Sequence, residues 1–397
     1  MAHLVFRSNI NVDDYVEATY YLKSATTLKD AAWDIAIGQS VGNPNIRNDW
    51  ETDDLFLKHS CVVLDDENVL SQKSEGFVRI GFPVVNTDWS GDGITQLLVQ
   101  LMGGQLDIDR ILVCQLRSLN IPARVKACFL PPKFGIEGIR AFTGVGADKP
   151  LLGAIIKPKI GLNVTQLLEM VKCLVESGVN FIKEDEIMSN PSCCDLETRV
   201  PVISEYIKNK KVVYAFCINA DGDEAVRRAK RIHELGGNAI HLNFWAGFGT
   251  YRAIRKLDLP LFVHFQKSGD KILTKKEHDF HIDWNVFCQL AVLCGVDFIH
   301  AGMWGGYSND DEADLVQCMR TLHEGQVMPA LSCGMHPGLV QAIKRRLGAN
   351  FMANCGGAIH GHPGGTRAGA SAMFQAINGN TSAPEYVVAI EKWGIRE

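Results

Sequence analysis

Short apolar runs alternate with amphipathic helical stretches through the second part of the chain. From Leu151 onward, eight runs have the length and composition of buried strands, and a stretch with helical spacing follows each of them. The runs cover residues 151–157, 180–186, 212–219, 239–243, 260–264, 297–300, 328–332 and 350–355. Strand–helix alternation repeated eight times predicts an α/β fold, the (β/α)8 or TIM barrel.

The stretch between the first two predicted strands illustrates the helical pattern. Asn163 and Thr165 can cap its start, and Gly178 ends it. Its apolar stripe consists of Leu167, Leu168, Val171, Leu174 and Val175. Similar helices are predicted over residues 224–235, 284–294 and 311–322. The stripe supplies the face that packs on a barrel strand.

The part before residue 130 has a different pattern. Residues 15–23, 77–85 and 110–116 are rich in β-formers, whereas residues 94–102 repeat apolar side chains at helical spacing and stop at Gly103-Gly104. Strands and helices that do not alternate strictly are typical of an α+β layer structure. We therefore predict an N-terminal α+β domain over residues 1–130 and a barrel domain over residues 131–397.

Composition narrows the function classes. The 397 residues are 46% hydrophobic and carry a formal net charge of −5, which favours neither a nucleic-acid nor an anionic-membrane partner. The first residues lack the apolar core of a signal peptide, and no apolar run approaches the roughly 18 residues of a spanning helix. Twelve cysteines occur without a Cys-x-x-Cys pair. Reduced thiols and a cytoplasmic location are expected.

Polar side chains follow the predicted strands in register. They are Lys157, Lys159, Lys183, Asp185, Glu186, Asn219, Asn243, His264, His300 and Ser332, and the last strand runs into Cys355-Gly356-Gly357. TIM barrels carry their chemistry at the carboxyl ends of their strands. The register therefore predicts an enzyme whose site is formed by these residues.

The run from Phe181 to Glu186 holds two apolar residues, a lysine and three carboxylates. Alternation along a strand puts Lys183 and Asp185 on one face and Glu184 on the other. Carboxylates at this density favour a hard cation such as Mg²⁺. An ammonium group cannot bind a metal, so Lys183 is a counter-ion, a deprotonated amine or a modified lysine with a negative oxygen. The alternative is an exposed charge cluster.

Further candidates surround this run. Lys157 and Lys159 suit the polarisation of a carbonyl or the exchange of a proton. His264 and His300 are substrate-binding or proton-transfer candidates, with hydrogen-bonded core residues as the alternative. Gly356 and Gly357 free backbone N–H groups for a phosphate, although a plain tight turn has the same pattern.

Ser332, Gly334 and Asn219 are assigned with Gly356 and Gly357 to substrate and phosphate binding. A zinc set of Cys355, His360 and His362 is a minor alternative. Together these groups fit proton abstraction beside a metal, which gives an enediolate on a sugar phosphate.

Four motifs in this order resemble those of the ribulose bisphosphate carboxylase (RuBisCO) large chain. They begin at Gly153 (GAIIKPKIGL), Phe181 (FIKEDE), Ser332 (SCGMH) and Gly356 (GGAIHGHP). The resemblance implies that CO₂ carbamylates Lys183 and that the carbamate, Asp185 and Glu186 hold one Mg²⁺. It also implies proton handling and carbonyl polarisation by Lys157 and Lys159. His264, His300, Ser332, Gly356 and Gly357 would line the substrate.

Several positions depart from that family pattern. Phe265 stands where the family has a phosphate-holding arginine, and Tyr307 replaces the lysine that meets CO₂. Gly38 and Gly104 align approximately with a glutamate and an asparagine that reach the partner subunit's site. The chain therefore resembles the RuBisCO-like, or form IV, proteins.

The methionine-salvage enolases of that group share the run from Ile359 to Pro363 (IHGHP) and the pair Trp393-Gly394. Those enolases carry a lysine near the position of Gly104 and lack the second lysine of Lys157-Pro158-Lys159. The match to that particular activity is therefore incomplete.

The resulting hypothesis is Mg²⁺-dependent enolisation or tautomerisation of a phosphorylated keto sugar or keto-acid sugar through an enediolate, without CO₂ fixation. A decarboxylase or transcarboxylase of a β-keto acid sugar phosphate is the first alternative. A carboxylase conflicts with Phe265 and Tyr307. A Schiff-base aldolase using Lys183 or Lys157 and a non-catalytic binding protein are further alternatives. The resemblance implies a homodimer, or several dimers, with the site at the subunit interface.

Overall fold

A computed structural model describes residues 2–397 of the chain. The strands are β1 Tyr15–Ser24, β2 Val62–Val63, β3 Glu75–Pro83, β4 Ile111–Asn120, β5 Leu151–Ile155, β6 Phe181–Lys183, β7 Val213–Cys217, β8 Ala239–Asn243, β9 Phe262–Gln266, β10 Phe280–Ile282, β11 Phe298–Gly302, β12 Met328–Leu331 and β13 Met352–Cys355.

The helices are α1 Ala2–Val5, α2 Leu28–Gly38, α3 Asp53–His59, α4 Glu67–Ser71, α5 Gly93–Leu101, α6 Ala123–Lys126, α7 Gly135–Thr143, α8 Val164–Glu176, α9 Leu196–Ile207, α10 Gly222–Glu234, α11 Phe248–Lys256, α12 Lys271–Thr274, α13 Trp284–Leu293, α14 Glu312–Glu324, α15 Pro337–Leu347, α16 Gly357–His360, α17 Gly365–Ile377 and α18 Pro384–Trp393. None of the helices within residues 2–397 has the length and apolar character needed to cross a bilayer.

The chain forms two compact units. The first contains the residues through Leu130 together with residues 269–293, and the second contains residues 131–268 and 294–397. The prediction of a continuous barrel domain over residues 131–397 places residues 269–293 in the barrel, whereas here they group with the first unit. They do so because α13, predicted as a barrel helix, packs on β4 in the first unit. An apolar helical pattern predicts that one face of the helix is buried, but it does not identify the element that packs on that face.

The first unit is built on a five-stranded sheet in the order β10-β4-β1-β3-β2. Strand β1 pairs antiparallel with both β3 and β4. Its alternate residues Val16, Ala18, Tyr20 and Leu22 are buried, as the alternation of a half-covered strand requires. Helix α2 begins in a capping box, in which the Thr27 side chain accepts from the backbone N–H of Asp30.

The second unit is a closed barrel of eight parallel strands in the order β11-β12-β13-β5-β6-β7-β8-β9. The predicted (β/α)8 barrel with a separate N-terminal α+β part is thus confirmed, and all eight predicted strands are present. Four of them end earlier than predicted, and two end later. Residues such as Lys157, Asp185 and Asn219 lie beyond the strand ends, where the backbone leaves the ladder and turns.

The helix before the first barrel strand packs against the amino ends of the strands. Ile136 and Ile139 of α7 belong to a buried cluster with Leu151, Phe181, Val213, Ala215, Ala239, Phe262, Phe298, Met328, Ala330 and Met352. Phe134 stacks on Phe262 with ring centroids 4.1 Å apart. One end of the barrel is therefore filled, which leaves the carboxyl ends of the strands as the open face.

Asp297, just before β11, connects the start of α7 to the barrel strands through hydrogen bonds. Its Oδ1 accepts from the backbone N–H groups of Phe134 and Gly135 at 2.9 and 3.1 Å, and its Oδ2 accepts from Val263 at 3.0 Å. The carboxylate is fully buried. Three buried donors thus depend on one side chain.

We predict that Asp297→Ala destabilises the protein by about 3–5 kcal/mol, because three buried N–H groups lose their acceptor. Asp297→Asn, which keeps one acceptor oxygen, should lie between this variant and the wild type. The measurement is the urea unfolding midpoint followed by circular dichroism. The exposed Asp148→Ala serves as the control, and an Asp297→Ala midpoint equal to that of the control contradicts the assigned role.

Candidate active site at the carboxyl ends of the barrel strands

The carboxyl ends of the barrel strands surround a cavity of about 620 Å³. Nine of the predicted site residues line it, namely Lys157, Lys159, Asp185, Glu186, His300, Ser332, Gly334, Gly356 and Gly357. Lys183, His264 and Asn219 are not among the lining residues. The fold therefore brings together most of a set that is spread over about 200 positions of the sequence.

Lys183 and Glu184 at the end of β6 point to opposite sides, as the alternation predicts. Glu184 is fully buried and accepts from Arg199 Nε and Nη2 at 2.8 and 2.9 Å. Tyr214 Oη and the backbone N–H of Cys217 also donate to it, at 3.2 and 2.8 Å. This carboxylate has a complete set of structural partners and contributes nothing to the cavity.

Lys183 is fully buried, and its Nζ lies 3.2 Å from Glu186 Oε2. The other oxygen of Glu186 accepts from Ser268 Oγ at 2.6 Å. Burial opposes ionisation of Glu186, but the Lys183 ammonium and the Ser268 hydroxyl outweigh it and hold the pKa of Glu186 at about 2. Glu186 is therefore a fixed anion at neutral pH.

Ser268 ends a chain of hydrogen bonds that starts at His264. His264 Nε2 lies 3.2 Å from Gln266 Oε1, and Gln266 Nε2 donates to Ser268 Oγ at 2.6 Å. The three residues alternate with the period of a strand, so they lie on one face of β9 and its continuation. The sequence analysis missed Gln266 and Ser268, although extending the alternation from His264 would have found both.

Asp185 forms an ion pair with the Lys157 ammonium across the strand ends of β6 and β5. Its second oxygen, Oδ1, accepts from the backbone N–H of Ile187 at 3.3 Å. Asp185 is buried whereas Lys157 is half-buried at the cavity wall. The two carboxylates of the cavity thus each face a lysine, Asp185 facing Lys157 and Glu186 facing Lys183.

Both predicted histidines are neutral at pH 7. Burial, reinforced by the Lys183 ammonium, lowers the pKa of His264 well below its usual range. Burial and the ammonium groups of Lys267 and Lys183 lower the pKa of His300 to about 3. In each ring Nδ1 is buried and has no hydrogen-bond partner among residues 2–397. His300 lines the cavity, whereas His264 lies behind the cavity wall.

Asn219 lies behind Glu186, because its Nδ2 donates to the Glu186 carbonyl at 2.5 Å and its Oδ1 accepts from the Asn243 backbone at 2.7 Å. Its polar atoms hold two strand ends together. The substrate-binding role assigned to Asn219 from the sequence stays a prediction, and its contacts in the structure are structural ones.

Glycines allow the loops after β11 and β12 to touch. Gly334 has φ +109°, and a Cβ there would lie 2.5 Å from the Tyr307 backbone nitrogen. A Cβ on Gly306 would lie 2.2 Å from the Cys333 carbonyl oxygen. Tyr307 lines the cavity, but the residue is 87% exposed. The position where the family has a lysine is therefore at the cavity mouth and carries no cation.

Phe265 does not face the cavity. It is fully buried, and its ring stacks on Tyr251 of α11 with centroids 4.6 Å apart. In an extended strand the residue after His264 points away from the barrel axis. Position 265 therefore carries no guanidinium group. The phenylalanine side chain lies outside the site.

The alternative zinc set is not assembled. Cys355 Sγ contacts the Met335 carbonyl at 3.1 Å, His360 Nε2 contacts the Ile155 carbonyl at 3.0 Å, and His362 Nε2 contacts the Glu385 carbonyl at 3.0 Å. Across residues 2–397, no group of three or more His, Cys, Asp and Glu side chains forms a metal site. All twelve cysteines are free.

Comparison with known proteins identifies relatives that match most of the chain. The profile of the ribulose bisphosphate carboxylase large chain, catalytic domain, matches residues 136–389. The chain is 28% identical to a ribulose bisphosphate carboxylase of Archaeoglobus fulgidus, over 93% of this chain and 91% of that protein.

Two further relatives have names other than ribulose bisphosphate carboxylase. A 2,3-diketo-5-methylthiopentyl-1-phosphate enolase of Exiguobacterium sibiricum is 29% identical, with 96% of this chain and 99% of that protein covered. A 3-oxo-isoapionate-4-phosphate decarboxylase of Rhizobium rhizogenes is also 29% identical, with 91% and 92% covered. An octameric ribulose-1,5-bisphosphate carboxylase/oxygenase structure from Pyrococcus horikoshii shares the fold, with a TM-score of 0.89, 24% identity and coverage of 100% and 97%.

The two neighbouring carboxylates that follow β6, Glu184 and Asp185, should respond differently to mutation. Glu184→Gln leaves Arg199 buried without an anion and should lower the free energy of unfolding by about 3–5 kcal/mol. Asp185→Asn should change stability much less but should weaken Mg²⁺ binding at least about tenfold, because a neutral amide is a poor ligand.

Urea unfolding and calorimetric Mg²⁺ titration in bicarbonate buffer measure the two effects. The folded Glu184→Gln protein is expected to bind Mg²⁺ within about twofold of the wild type. If Asp185→Asn binds Mg²⁺ as tightly as the wild type, the side chain of Asp185 is not a metal ligand.

The lowered pKa of His300 predicts that the stability of the protein depends on pH. Because its pKa of about 3 in the folded state lies below the ordinary 6.5, the unfolded state binds more protons between these values. The contribution of His300 to stability is therefore lost as pH falls below about 6.5, and it amounts to about 2 kcal/mol between pH 7 and pH 5. Unfolding midpoints of the wild type and of His300→Gln at both pH values measure this. An identical pH slope for the two proteins contradicts the neutral, buried imidazole.

Proposed function

The chain belongs to the ribulose bisphosphate carboxylase large-chain family, and from this membership we propose that it catalyses Mg²⁺-dependent enolisation of a phosphorylated keto sugar or keto-acid sugar without CO₂ fixation. One observation carries the proposal. Lys183, Asp185 and Glu186 meet at one strand end opposite Lys157, while the loop after β11 presents Tyr307 instead of a cation. The relatives named as an enolase and a decarboxylase are enzymes of the isomerase and lyase kind.

The donor set fits magnesium if Lys183 is carbamylated by CO₂. Asp185 and Glu186 supply two carboxylates at the cavity wall, and the Lys183 Nζ lies 3.2 Å from Glu186. A carbamate on Nζ converts the one cation of the trio into a third oxygen ligand, in line with the preference of Mg²⁺ for a few carboxylates plus water. When bound, Mg²⁺ would polarise a substrate carbonyl and stabilise the negative charge of an enediolate.

Lys157 and Lys159 are assigned to proton handling. Both line the cavity from the end of β5, and Lys157 already contacts Asp185. Metal binding by Asp185 would release the Lys157 ammonium to hydrogen-bond a developing oxyanion or to return a proton to carbon. The neutral His300 imidazole offers a further hydrogen bond to a substrate hydroxyl.

The phosphate of the substrate is assigned to the loops after β12 and β13. Gly356, Gly357 and Gly334 line the cavity with Ser332, and glycines allow an anion to approach the backbone N–H groups. Phosphate sites on the loops after the last two strands are common in this architecture.

Decarboxylation of a β-keto acid sugar phosphate is the second candidate. It is favoured by the pair Lys157 and Lys159, because an enediolate formed by loss of CO₂ must be reprotonated at carbon. The relative named as a decarboxylase supports it, at 29% identity. Carboxylation is disfavoured because no lysine stands at Tyr307. A Schiff-base aldolase would be inactivated by borohydride with substrate and would be indifferent to EDTA.

We propose a homodimer, or a multiple of dimers, whose partner subunit completes the site. The octameric Pyrococcus horikoshii structure supports this assembly. Gly38 and Gly104 lack the side chains that the family uses across that interface. A cytoplasmic location is proposed from the twelve free cysteines.

The proposal predicts exchange of substrate α-protons with deuterium from D₂O once the protein has been incubated with Mg²⁺ and bicarbonate. A panel of keto-sugar phosphates followed by NMR measures the exchange, and Asp185→Asn is the inactive control. Omission of bicarbonate should lower the rate at least about tenfold, because Lys183 then stays cationic. Release of CO₂ from keto-acid sugar phosphates at the same site selects the decarboxylase. No exchange and no CO₂ release across the panel contradicts the proposed function.

A further inference from the structure

Asn354 of strand β13 belongs to the cavity wall, although the sequence analysis gave it no role. It lines the cavity together with Gly356, which lies two residues further along the same face of the chain. The rise of an extended strand places Asn354 about 7 Å deeper in the barrel than Gly356. Met352, two residues before Asn354, belongs to the buried apolar cluster. Asn354 therefore lies at the floor of the cavity, where the cavity meets that cluster.

The amide group of Asn354 has no partner among residues 2–397. The residue is 2% exposed, and its Oδ1 is buried without a hydrogen bond. No hydrogen bond within the described chain engages its Nδ2 either. Asn219 and Asn243 differ in this respect, because their side chains bond backbone groups of neighbouring strand ends. A buried amide without a partner is uncommon and calls for an explanation.

Gly153 on the neighbouring strand makes room for this amide. Strands β13 and β5 pair with Asn354 opposite Gly153. A Cβ on Gly153 would lie 2.8 Å from Asn354 Oδ1 and 3.0 Å from Met352 Sδ. A side chain at position 153 would therefore displace the ends of both neighbouring side chains. Glycine allows the Asn354 amide to approach β5 closely.

The fold does not require a polar side chain at position 354. Met352 lies one layer below it, and Phe181 pairs with Gly153 from the other side of β5. An unpartnered amide beside apolar groups lowers stability, whereas a leucine of similar volume would not. A residue that lowers stability at the wall of a cavity is typical of a binding site.

The partner that Oδ1 lacks is a hydrogen-bond donor. The two ends of the amide differ, because Oδ1 only accepts and Nδ2 only donates. An ionised phosphate or carboxylate has acceptor oxygens alone, so it cannot satisfy Oδ1. A hydroxyl group both donates and accepts, and it matches both ends of the amide. Asn354 therefore recognises a different kind of group from the glycines assigned to phosphate.

We propose that Asn354 is a specificity-determining residue, which hydrogen-bonds a hydroxyl group of the substrate at the cavity floor and disfavours substrates without that hydroxyl. This assignment rests on the proposed function, because it specifies a feature of the substrate in the same cavity. The separation of Asn354 from Gly356 places the hydroxyl on the carbon skeleton, several bonds from the phosphate. An analogue without the hydroxyl leaves the buried amide unpaired and binds more weakly.

Calorimetric titration of the protein, incubated with Mg²⁺ and bicarbonate, tests this role without turnover. Two matched pairs of probes differ by one hydroxyl: D-xylulose 5-phosphate with its 1-deoxy analogue, and D-ribose 5-phosphate with its 2-deoxy analogue. The wild type should bind the hydroxyl form of at least one pair at least about tenfold more tightly than the deoxy form. Asn354→Leu should reduce this ratio to within about twofold and should bind the deoxy form like the wild type.

Unfolding in urea separates this role from a structural one. Asn354→Leu should unfold at the same urea concentration as the wild type or at a higher one, because an apolar side chain of similar size replaces an unpartnered amide. Gly153→Ala keeps Asn354 but displaces its amide, so it should also lose discrimination. Met352→Leu, a volume-conserving change one layer lower, is the control and should discriminate like the wild type.

The assigned role of Asn354 is ruled out if the wild type distinguishes neither pair of probes. It is also ruled out if Asn354→Leu keeps the wild-type ratio or has a lower unfolding midpoint, or if Met352→Leu loses discrimination to the same extent. Probe binding is measured separately from deuterium exchange. Discrimination by a protein that exchanges no deuterium contradicts the enolase proposal alone, whereas exchange without discrimination contradicts the role of Asn354 alone.

Discussion

The buried ion pair between Glu184 and Arg199 allows three consecutive acids to stand at the end of a barrel strand. Glu184 has two guanidinium bonds, a tyrosine hydroxyl and a backbone N–H as partners, all inside the protein. Without these partners an ionised carboxylate could not remain on the helix-facing side of β6. Because Glu184 is held there, Lys183 and Asp185 are turned to the opposite side.

The cavity therefore contains a balanced but replaceable set of charges. Asp185 faces Lys157, and Glu186 faces Lys183. Under the proposed function, each pair would be exchanged for a metal–carboxylate contact once Lys183 is carbamylated. The hydrogen bonds from His264 through Gln266 and Ser268 fix one oxygen of Glu186 and leave the other directed at Lys183. The arrangement is preorganised before any ligand enters.

Two levels of the structure form the wall of this cavity. The ends of the barrel strands supply its lysines, its carboxylates and His300. The connecting segments supply Tyr307, His336, Trp393 and Arg396, which line the rest of the cavity. Chemistry retained on strands and selectivity carried by loops are the usual division in a TIM barrel.

The sequence by itself determined the barrel, the order of its strands and the residues at their ends, because strand alternation and strand-end polarity are local patterns. It also determined that Glu184 and Asp185 face opposite ways. Only the tertiary structure decided that Asn219 hydrogen-bonds the Glu186 carbonyl, that α13 packs with the first unit, and that Phe265 faces α11 instead of the cavity. Only the tertiary structure brought Arg396 to the cavity. These outcomes depend on contacts between residues far apart in the chain, which periodicity does not encode.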